Sequence, residues 1–342
     1  MGLDYKYVIW NKFKKGYDKA IVLGMLLYLI LFVIITMLFN PESSAETLII
    51  RSFGTLAIFM LHIILIIGPL ARLNNRFLPL LYNRRHLGVS MFIVALIHGG
   101  FSLFQFHALG DKNPIIALFT SNMEYDSLSN FPFQVLGFFA LLILFVMAST
   151  SHDFFLANLS AKVWKRLHMM VYAAYALLLG HVFLGNFQQE SSVITVVFMA
   201  VGFLIVAVLH LASGFKEWRL DRAIFKEEDG WLEVCNVNEI EENRAKIFTV
   251  GKERVAVFKY DGKLSAIENV CKHQGGPLGE GKIIDGCITC PWHGYQYLPH
   301  NGQSPPPFTE KVATYELKLK GDRVCINVRA FEEGTEVAPV NC

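Results

Sequence analysis

The sequence predicts a membrane all-α six-helix bundle followed by a small soluble all-β domain. Three observations carry this. The chain of 342 residues is 53% hydrophobic, too apolar for a purely soluble protein of its size, and the excess lies before residue 213. That part falls into six apolar runs, each near the ~20 residues that cross a hydrocarbon core. From Trp231 onward the apolar period becomes two, the mark of strands with one buried face.

Residues 1–19 carry five Lys and form an N-terminal segment ahead of the first run. The runs cover about 20–39, 48–70, 87–107, 133–148, 167–184 and 193–211, the fourth and fifth being short. Backbone N–H and C=O groups in lipid have no water to bond, so each run is expected to be a helix. Six spans return the chain to its starting side. Segment 1–19, loops 71–86 and 151–166 and the exit 213–226 hold sixteen Lys and Arg, whereas the opposite segments 40–47, 110–131 and 186–192 hold only Lys112. Basic loops stay inside, which places both termini and the C-terminal domain in the cytoplasm. The expected location is the bacterial inner membrane, as a multi-pass protein. No cleavable signal is visible, because the first run follows a Lys-rich start and is long enough to remain as a span. With a net charge of +2, charge makes no case for nucleic acid.

The six-span domain is thus expected over 20–212, a polar linker over 213–230, a β domain over 231–330 and a tail over 331–342. Within the β domain, Val255–Ile267 reads as a hairpin with a type I′ turn at Asp261-Gly262. Tyr315–Val328 repeats the pattern around Gly321-Asp322, and Pro305-Pro306-Pro307 makes a stiff loop through its fixed φ.

The chemistry of that domain concentrates in two short stretches. They are Cys271-Lys-His273-Gln-Gly-Gly-Pro-Leu-Gly279 and, after a sixteen-residue spacer from His273, Cys290-Pro-Trp-His293-Gly-Tyr-Gln-Tyr297. Two Cys and two His, one of each per loop, make a four-ligand metal site. A [2Fe–2S] centre with two thiolates on one iron and two imidazoles on the other suits this split. Structural zinc uses the same ligand set, but zinc fingers pair Cys with Cys and His with His in sequence. With the flanking Gly-Gly-Pro-Leu-Gly and Pro-Trp-His-Gly, the last 110 or so residues resemble the Rieske family. The resemblance implies Cys271, His273, Cys290 and His293 as cluster ligands. Respiratory members carry an extra Cys in each loop, forming a disulfide, and a Ser hydroxyl toward the cluster. Here Gly276, Trp292 and Tyr295 stand in those places, while Tyr297 is retained. Fewer hydrogen bonds to the sulfurs imply a lower potential, closer to ferredoxin-type and oxygenase-type centres. Cys235, Cys287, Cys325 and Cys342 show no spacing that demands disulfides.

Ionisable residues inside spans are costly and mark function. His62, His98, His168, His181 and His210 fall within the runs, with His86 and His152 at cytoplasmic ends and His107 at the opposite end of the third run. For His86, His107, His152 and His210 an interfacial or packed role is at least as good a reading. The third and fifth runs both head outward, entering at Arg85 and Arg166. His98 and His181 then lie at matched depth, roughly 20 Å along their helices. Two facing imidazoles at one depth are what bis-histidine haem iron needs. His168 lies nearer the cytoplasm, a candidate ligand for a second, inner haem, with His86 at matching depth and His152 and His210 near it.

A second resemblance rests on Ile67-Gly-Pro-Leu-Ala-Arg72, Asn83-Arg-Arg-His-Leu-Gly88 leading to His98, Thr150-Ser151, Trp164-Lys-Arg-Leu-His168-Met-Met-Val-Tyr172 and His181. Residues 48–186 resemble the ferric-reductase-like transmembrane family, in particular the haem-binding membrane subunits of bacterial methionine sulfoxide reductase systems. This implies b-type haem, one or two, with His98, His168 and His181 at ligand positions. Other members continue into flavin and nicotinamide domains. This chain has no Gly-rich dinucleotide fingerprint and carries the Cys/His domain instead.

The combination is expected to be a membrane oxidoreductase component that moves electrons from a cytosolic donor, a reductase or ferredoxin, through cluster and haem to an acceptor at the outer face. That acceptor could be a quinone, a metal ion or a protein. Two other readings stay open: a quinol-oxidising respiratory subunit, which needs a high-potential cluster, and a redox sensor without turnover.

Overall fold

The computed structural model describes residues 12–342 apart from Tyr82, Ser191 and His293. Most of the expected N-terminal segment, and His293 among the expected cluster ligands, therefore lie outside the described residues. The described chain divides into two compact units, residues 12–66 with 84–209 and residues 67–83 with 210–342.

The first unit is helical. Its long elements are α1 (Lys12–Phe39), α2 (Ala45–Leu73), α4 (Arg84–His107), α6 (Phe133–Ser149), α9 (Val171–Gly185) and α10 (Val193–Asp221), the ends of α2 and α10 belonging to the second unit. Short helices α5 (Pro114–Thr120), α7 (Asp153–Asn158) and α8 (Ala161–Met169) lie between them, and a short helix α3 (Leu78–Leu81) belongs to the second unit. Among the described residues, α1, α2, α4, α10 and the run 162–189 are long and apolar enough to cross a membrane, and α6 is a shorter apolar helix. The protein is a multi-pass membrane protein. Its helical region is not an exact set of six helices, because the connections fold too. Asn113 Oδ1 accepts the Ile115 N–H at 3.0 Å to cap α5, His152 Nδ1 accepts from Phe154 to cap α7, and Ser160 Oγ accepts from Val163 to cap α8. The expected fifth span is divided at Met170, so His168 ends α8 while His181 sits in α9.

Burial follows the solvent expected for such helices. Leu23, Leu26, Leu27 and Ile30 of α1 are exposed, while Leu61, Ala140, Leu144 and Ala174 form the interior. Apolar side chains directed outward along a helix of this length fit lipid rather than water. Where α4 meets α6 the contact is close: a Cβ on Gly99 would lie 2.8 Å from Leu141 Cδ2.

The second unit is sheet-rich. An antiparallel sheet runs β1-β2-β10-β9-β5-β4-β3, with β11 also pairing β5, and a second sheet runs β6-β7-β8. Their bounds are β1 Lys226–Glu228, β2 Trp231–Asn236, β3 Arg244–Val250, β4 Glu253–Tyr260, β5 Lys263–Glu268, β6 Lys282–Ile284, β7 Cys287–Thr289, β8 Gln296–Tyr297, β9 Thr314–Lys320, β10 Arg323–Ala330 and β11 Val340–Asn341. The β4–β5 turn has Asp261 and Gly262 both at positive φ, 48° and 66°, the type I′ geometry that the Asp-Gly pair predicts. Strand β4 is buried on both faces. Val255 and Val257 join Leu264, Leu317 and Ile326 in one core, while Ala256 and Phe258 join Ile267, Leu278, Ile288 and Tyr297 in another that also contains Cys271 and Cys290.

Of the segment expected as a linker, residues to Asp221 are helical and Lys226–Glu228 is a strand. Arg254 of β4 holds the helix end, pairing with Glu217 and with both oxygens of Asp221 at 2.8–2.9 Å. Thr249 donates to Leu220 O at 3.5 Å, Arg72 meets Glu280 at 3.4 Å, and Lys216 donates to the Arg72 carbonyl. Burial pushes the Glu280 carboxyl above the usual range, with the Arg72 charge opposing it. A fork of this kind, half-withdrawn from water, contributes more than an exposed ion pair. Arg254→Ala should lower the stability of the sheet-rich unit by roughly 1–3 kcal/mol and speed protease cleavage between 222 and 231. Differential scanning calorimetry and limited proteolysis of the detergent-solubilised protein check this.

Candidate metal centres

The two Cys/His loops of the second unit are built alike. In the first, Cys271 N–H donates to Gly276 O at 2.8 Å and Gly275 N–H donates to Cys271 O at 2.7 Å. In the second, Cys290 N–H donates to Tyr295 O at 2.8 Å and Gly294 N–H donates to Cys290 O at 2.9 Å. Gly275 and Gly294 both sit at positive φ, 71° and 76°, where side chains are strained. Each turn therefore presents its Cys inward at the same place, and Cys271 and Cys290 are both 1% exposed.

The sulfurs are set close together in a dry site. The Cys271 thiol is pulled below its ordinary value first by the neighbouring Cys290 thiol, then by the Tyr297 hydroxyl and the backbone at His273 and Gln274. Burial raises the Tyr297 phenol, so it stays protonated. Its oxygen lies 3.4 Å from Cys271 Sγ and accepts the Lys272 N–H at 3.0 Å. A Cβ on Gly276 would come within 2.8 Å of Cys290 Sγ and 3.2 Å of Trp292, so this position is filled by its neighbours. The His273 ring stacks on Tyr295, centroids 5.0 Å apart at 10°, and Tyr295 packs on Phe308 and donates to Glu310. Lys272 bridges Glu268 at 2.9 Å and Glu333 at 2.7 Å, bracing the first loop from outside. Among the described residues no three His, Cys, Asp or Glu side chains converge as a metal-holding group. What the structure brings together is the thiol pair with a stacked imidazole beside it. Paired buried thiols on N–H-lined turns, with that of Cys271 acid-shifted, fit an iron–sulfur ligand set.

Known proteins match the same division. Residues 230–316 match the family model of the Rieske [2Fe-2S] domain, and residues 53–179 match that of the ferric reductase like transmembrane component. The chain is a fusion of these two families. Its Rieske domain is 31% identical over 110 residues to the alkene monooxygenase system ferredoxin component of Xanthobacter autotrophicus, covering 32% of this chain and 84% of that protein. It is 29% identical over 99 residues to the anthranilate 1,2-dioxygenase ferredoxin subunit of Burkholderia cepacia, covering 29% and 92%. Among solved structures, the Sphingomonas yanoikuyae B1 ferredoxin is 24% identical with a TM-score of 0.27, covering 28% of this chain and 96% of that one. The Rieske match supports a [2Fe–2S] cluster and contains all four expected ligand positions.

In the ferric-reductase-like unit the structure brings His98 and His181 together. Their ring centroids are 6.2 Å apart with the planes at 76°. His98 Nδ1 lies 2.9 Å from Ile50 O and His181 Nδ1 lies 2.9 Å from Phe133 O. A carbonyl only accepts, so each Nδ1 carries the proton and each Nε2 is the unprotonated nitrogen. Metal-ligating histidines take this form, with the outer N–H given to a carbonyl. Two metal–imidazole bonds of about 2 Å and two ring half-widths of about 1 Å add to about 6 Å, so the pair fits one iron between them. His181 lies just beyond the matched segment, and His98 and His168 lie inside it.

The other expected residues have partners of their own. His168 Nδ1 lies 3.1 Å from Trp164 O, its Nε2 lies 3.2 Å from Ser151 Oγ, and its ring stacks on Trp164 at 3.8 Å. His86 Nδ1 is bound by both Asp18 oxygens at 2.8 and 3.0 Å. His107 pairs with Gln134 at 2.7 Å, and His62 with Tyr175 at 2.9 Å. Sequence reasoning missed Glu310 and the carbonyls of Ile50 and Phe133. The carbonyls could have been found, since each lies 48 residues before its histidine.

One measurement probes the cluster environment. Tyr297→Phe removes the hydroxyl near Cys271 Sγ and leaves the Lys272 N–H without its acceptor. A hydrogen bond of about 1.4 kcal/mol corresponds to ~60 mV for a one-electron couple, so the midpoint potential should fall by tens of millivolts. Redox titration followed by circular dichroism reads this.

Proposed function

We propose that this chain carries electrons across the bacterial inner membrane, from a cytosolic reductase or ferredoxin to an acceptor at the outer face. The observation that carries the reading is the His98–His181 pair, two Nδ1–H imidazoles at bonding separation for one metal, in the same chain as a Rieske domain. Bound to these residues, a [2Fe–2S] cluster and b-type haem supply one-electron carriers. Relatives named as ferredoxin components support a protein as the donor. The sixteen-to-one distribution of Lys and Arg supports cytoplasmic termini and a cytoplasmic Rieske domain.

The chain's own residues supply the ligands and the surroundings. Cys271 and Cys290 are the thiolate ligands, and His273 with His293 the imidazole ligands. Tyr297 holds a hydroxyl on the Cys271 sulfur, and Tyr295 with Phe308 excludes water beside His273. Ile50 and Phe133 fix the tautomer of His98 and His181. The membrane domain spans 20–212 with six transmembrane helices, α1, α2, α4, α6, α9 and α10. His168 is the inner-haem ligand, with His86 at matching depth as its partner. This requires His168 Nε2 to exchange Ser151 for iron and His86 to bind through Nε2 while Asp18 keeps Nδ1.

The deciding experiment is replacement of the histidines. His98→Ala and His181→Ala should each remove the same haem absorption component while the reduced Rieske EPR signal persists. Two different lost components, or none, would end the shared-ligand reading. For His168→Ala, loss of a distinct component together with slowed donor-driven haem reduction is the two-haem outcome; full haem content at the normal rate leaves one haem. A single Cys at Asp229 that reacts from the periplasmic side of intact cells would reverse the orientation.

A further inference from the structure

The two imidazoles are held by one device used twice. In α2, Ile50 offers its carbonyl to His98 Nδ1 and Gly54 lies one turn further on. In α6, Phe133 offers its carbonyl to His181 Nδ1 and Gly137 lies one turn further on. Both carbonyl–histidine pairs are separated by 48 residues. A Cβ built on Gly54 would lie 2.8 Å from His98 Nδ1 and 2.9 Å from Cε1. One built on Gly137 would lie 2.8 Å and 2.9 Å from the same atoms of His181. The two sites thus agree in the carbonyl distance, in the glycine's place one turn on and in how closely the ring approaches it.

The physics of a helix explains the glycine. The carbonyl of residue i already accepts the N–H of i+4, and side chains tilt toward the N-terminus, so the side chain at i+4 shields that carbonyl from the side. An external N–H reaches it only where i+4 has no side chain. Glycine is costly in a helix interior relative to alanine, so a glycine here needs a reason. The displaced atoms are rigid ring atoms held at Nδ1 rather than a flexible chain end.

We propose that Gly54 and Gly137 are paired positioning residues, each admitting one imidazole to a helix carbonyl and thereby setting its orientation and Nδ1-protonated tautomer. This rests on the reading that His98 and His181 hold a common haem, and it predicts that the two ligands respond alike to like changes.

The test uses the full chain in detergent, with Gly54→Ala, Gly137→Ala, His98→Ala, the double variant G54A/H98A, and Gly88→Ala as control. A Cβ on Gly88 meets nothing within 4 Å. Gly54→Ala and Gly137→Ala should each shift or abolish the absorption component that His98→Ala removes, and shift its midpoint potential in the same direction. The Rieske EPR signal should persist, showing that the sheet-rich unit has folded, and Gly88→Ala should match the wild type. In haem-depleted protein Gly54→Ala should lower Tm, whereas in the His98→Ala background it should leave Tm unchanged or raise it. A purely structural glycine would lower Tm equally in both backgrounds. Wild-type absorption and potential in Gly54→Ala and Gly137→Ala, or equal Tm losses with and without the His98 ring, overturn the proposal. Retention of the component in His98→Ala instead removes the haem reading, and the Tm comparison then decides the glycine role by itself.

Discussion

An imidazole inside a bundle of apolar helices must place its N–H on an acceptor, and the membrane unit depends on how that is done. Water is absent there, and a helix spends its carbonyls on itself. The chain answers by letting helix carbonyls accept twice, at Ile50 and Phe133. That choice fixes the tautomer of His98 and His181, leaves their Nε2 atoms as the basic nitrogens, and requires α2 to approach α4 and α6 to approach α9 closely. Packing, protonation and ligand geometry are therefore one constraint.

The Rieske domain meets the opposite requirement with the opposite material. Thiolates carry charge, so their site is built from turns whose backbone groups bond across the loop instead of along a helix. Each loop closes from Cys N–H to a carbonyl five residues on, with glycine at the left-handed position before it. Between the loops, close packing completes the enclosure: Tyr297 against the first sulfur, the Gly276 backbone against the second with Trp292 beside it, and Tyr295 and Phe308 beside His273. The position of Gly276 is closed to a side chain by packing, since the space beside it belongs to Cys290 and Trp292.

What could be read in the sequence follows from where each constraint is local. Lipid dictates composition over some twenty residues, so the apolar runs stood out, and the Cys/His loops stood out because their turns need particular residues in succession. The short helices α5, α7 and α8 did not, since they depend on single caps such as Asn113 and Ser160 within polar connections. Residues 213–230 read as a linker because they are polar. Yet Lys216, Glu217, Trp218 and Arg219 are compatible with helix, and the decision was made from β4, far along the chain, by Arg254. His168 shows the converse. Its depth and its place in the ferric-reductase-like motif point to a ligand, while the sequence does not show that Trp164 O and Ser151 Oγ, four and seventeen residues before it, meet its two nitrogens. The paired glycines were visible in principle, through their common distance from the two histidines, but an isolated glycine in an apolar run carries no mark of its own.

Arg254 also explains why α10 can continue as far as it does. Glu217 and Asp221 stand four residues apart on that helix, a spacing at which like charges repel. Both sit at the C-terminal end, where the helix dipole disfavours negative charge. A free helix with this sequence would fray before Glu217. One guanidinium placed between the two carboxylates reverses both penalties, and Thr249 adds a second donor to the Leu220 carbonyl, which also accepts the Ala223 N–H. The sheet thus finishes the helix, and the helix in turn positions the sheet. Beside it, where Lys216 donates to the Arg72 carbonyl, Arg72 at the end of α2 reaches Glu280, which closes the first cluster loop's short helical turn. The loop that carries Cys271 and His273 is thereby tied to a helix end at a defined distance.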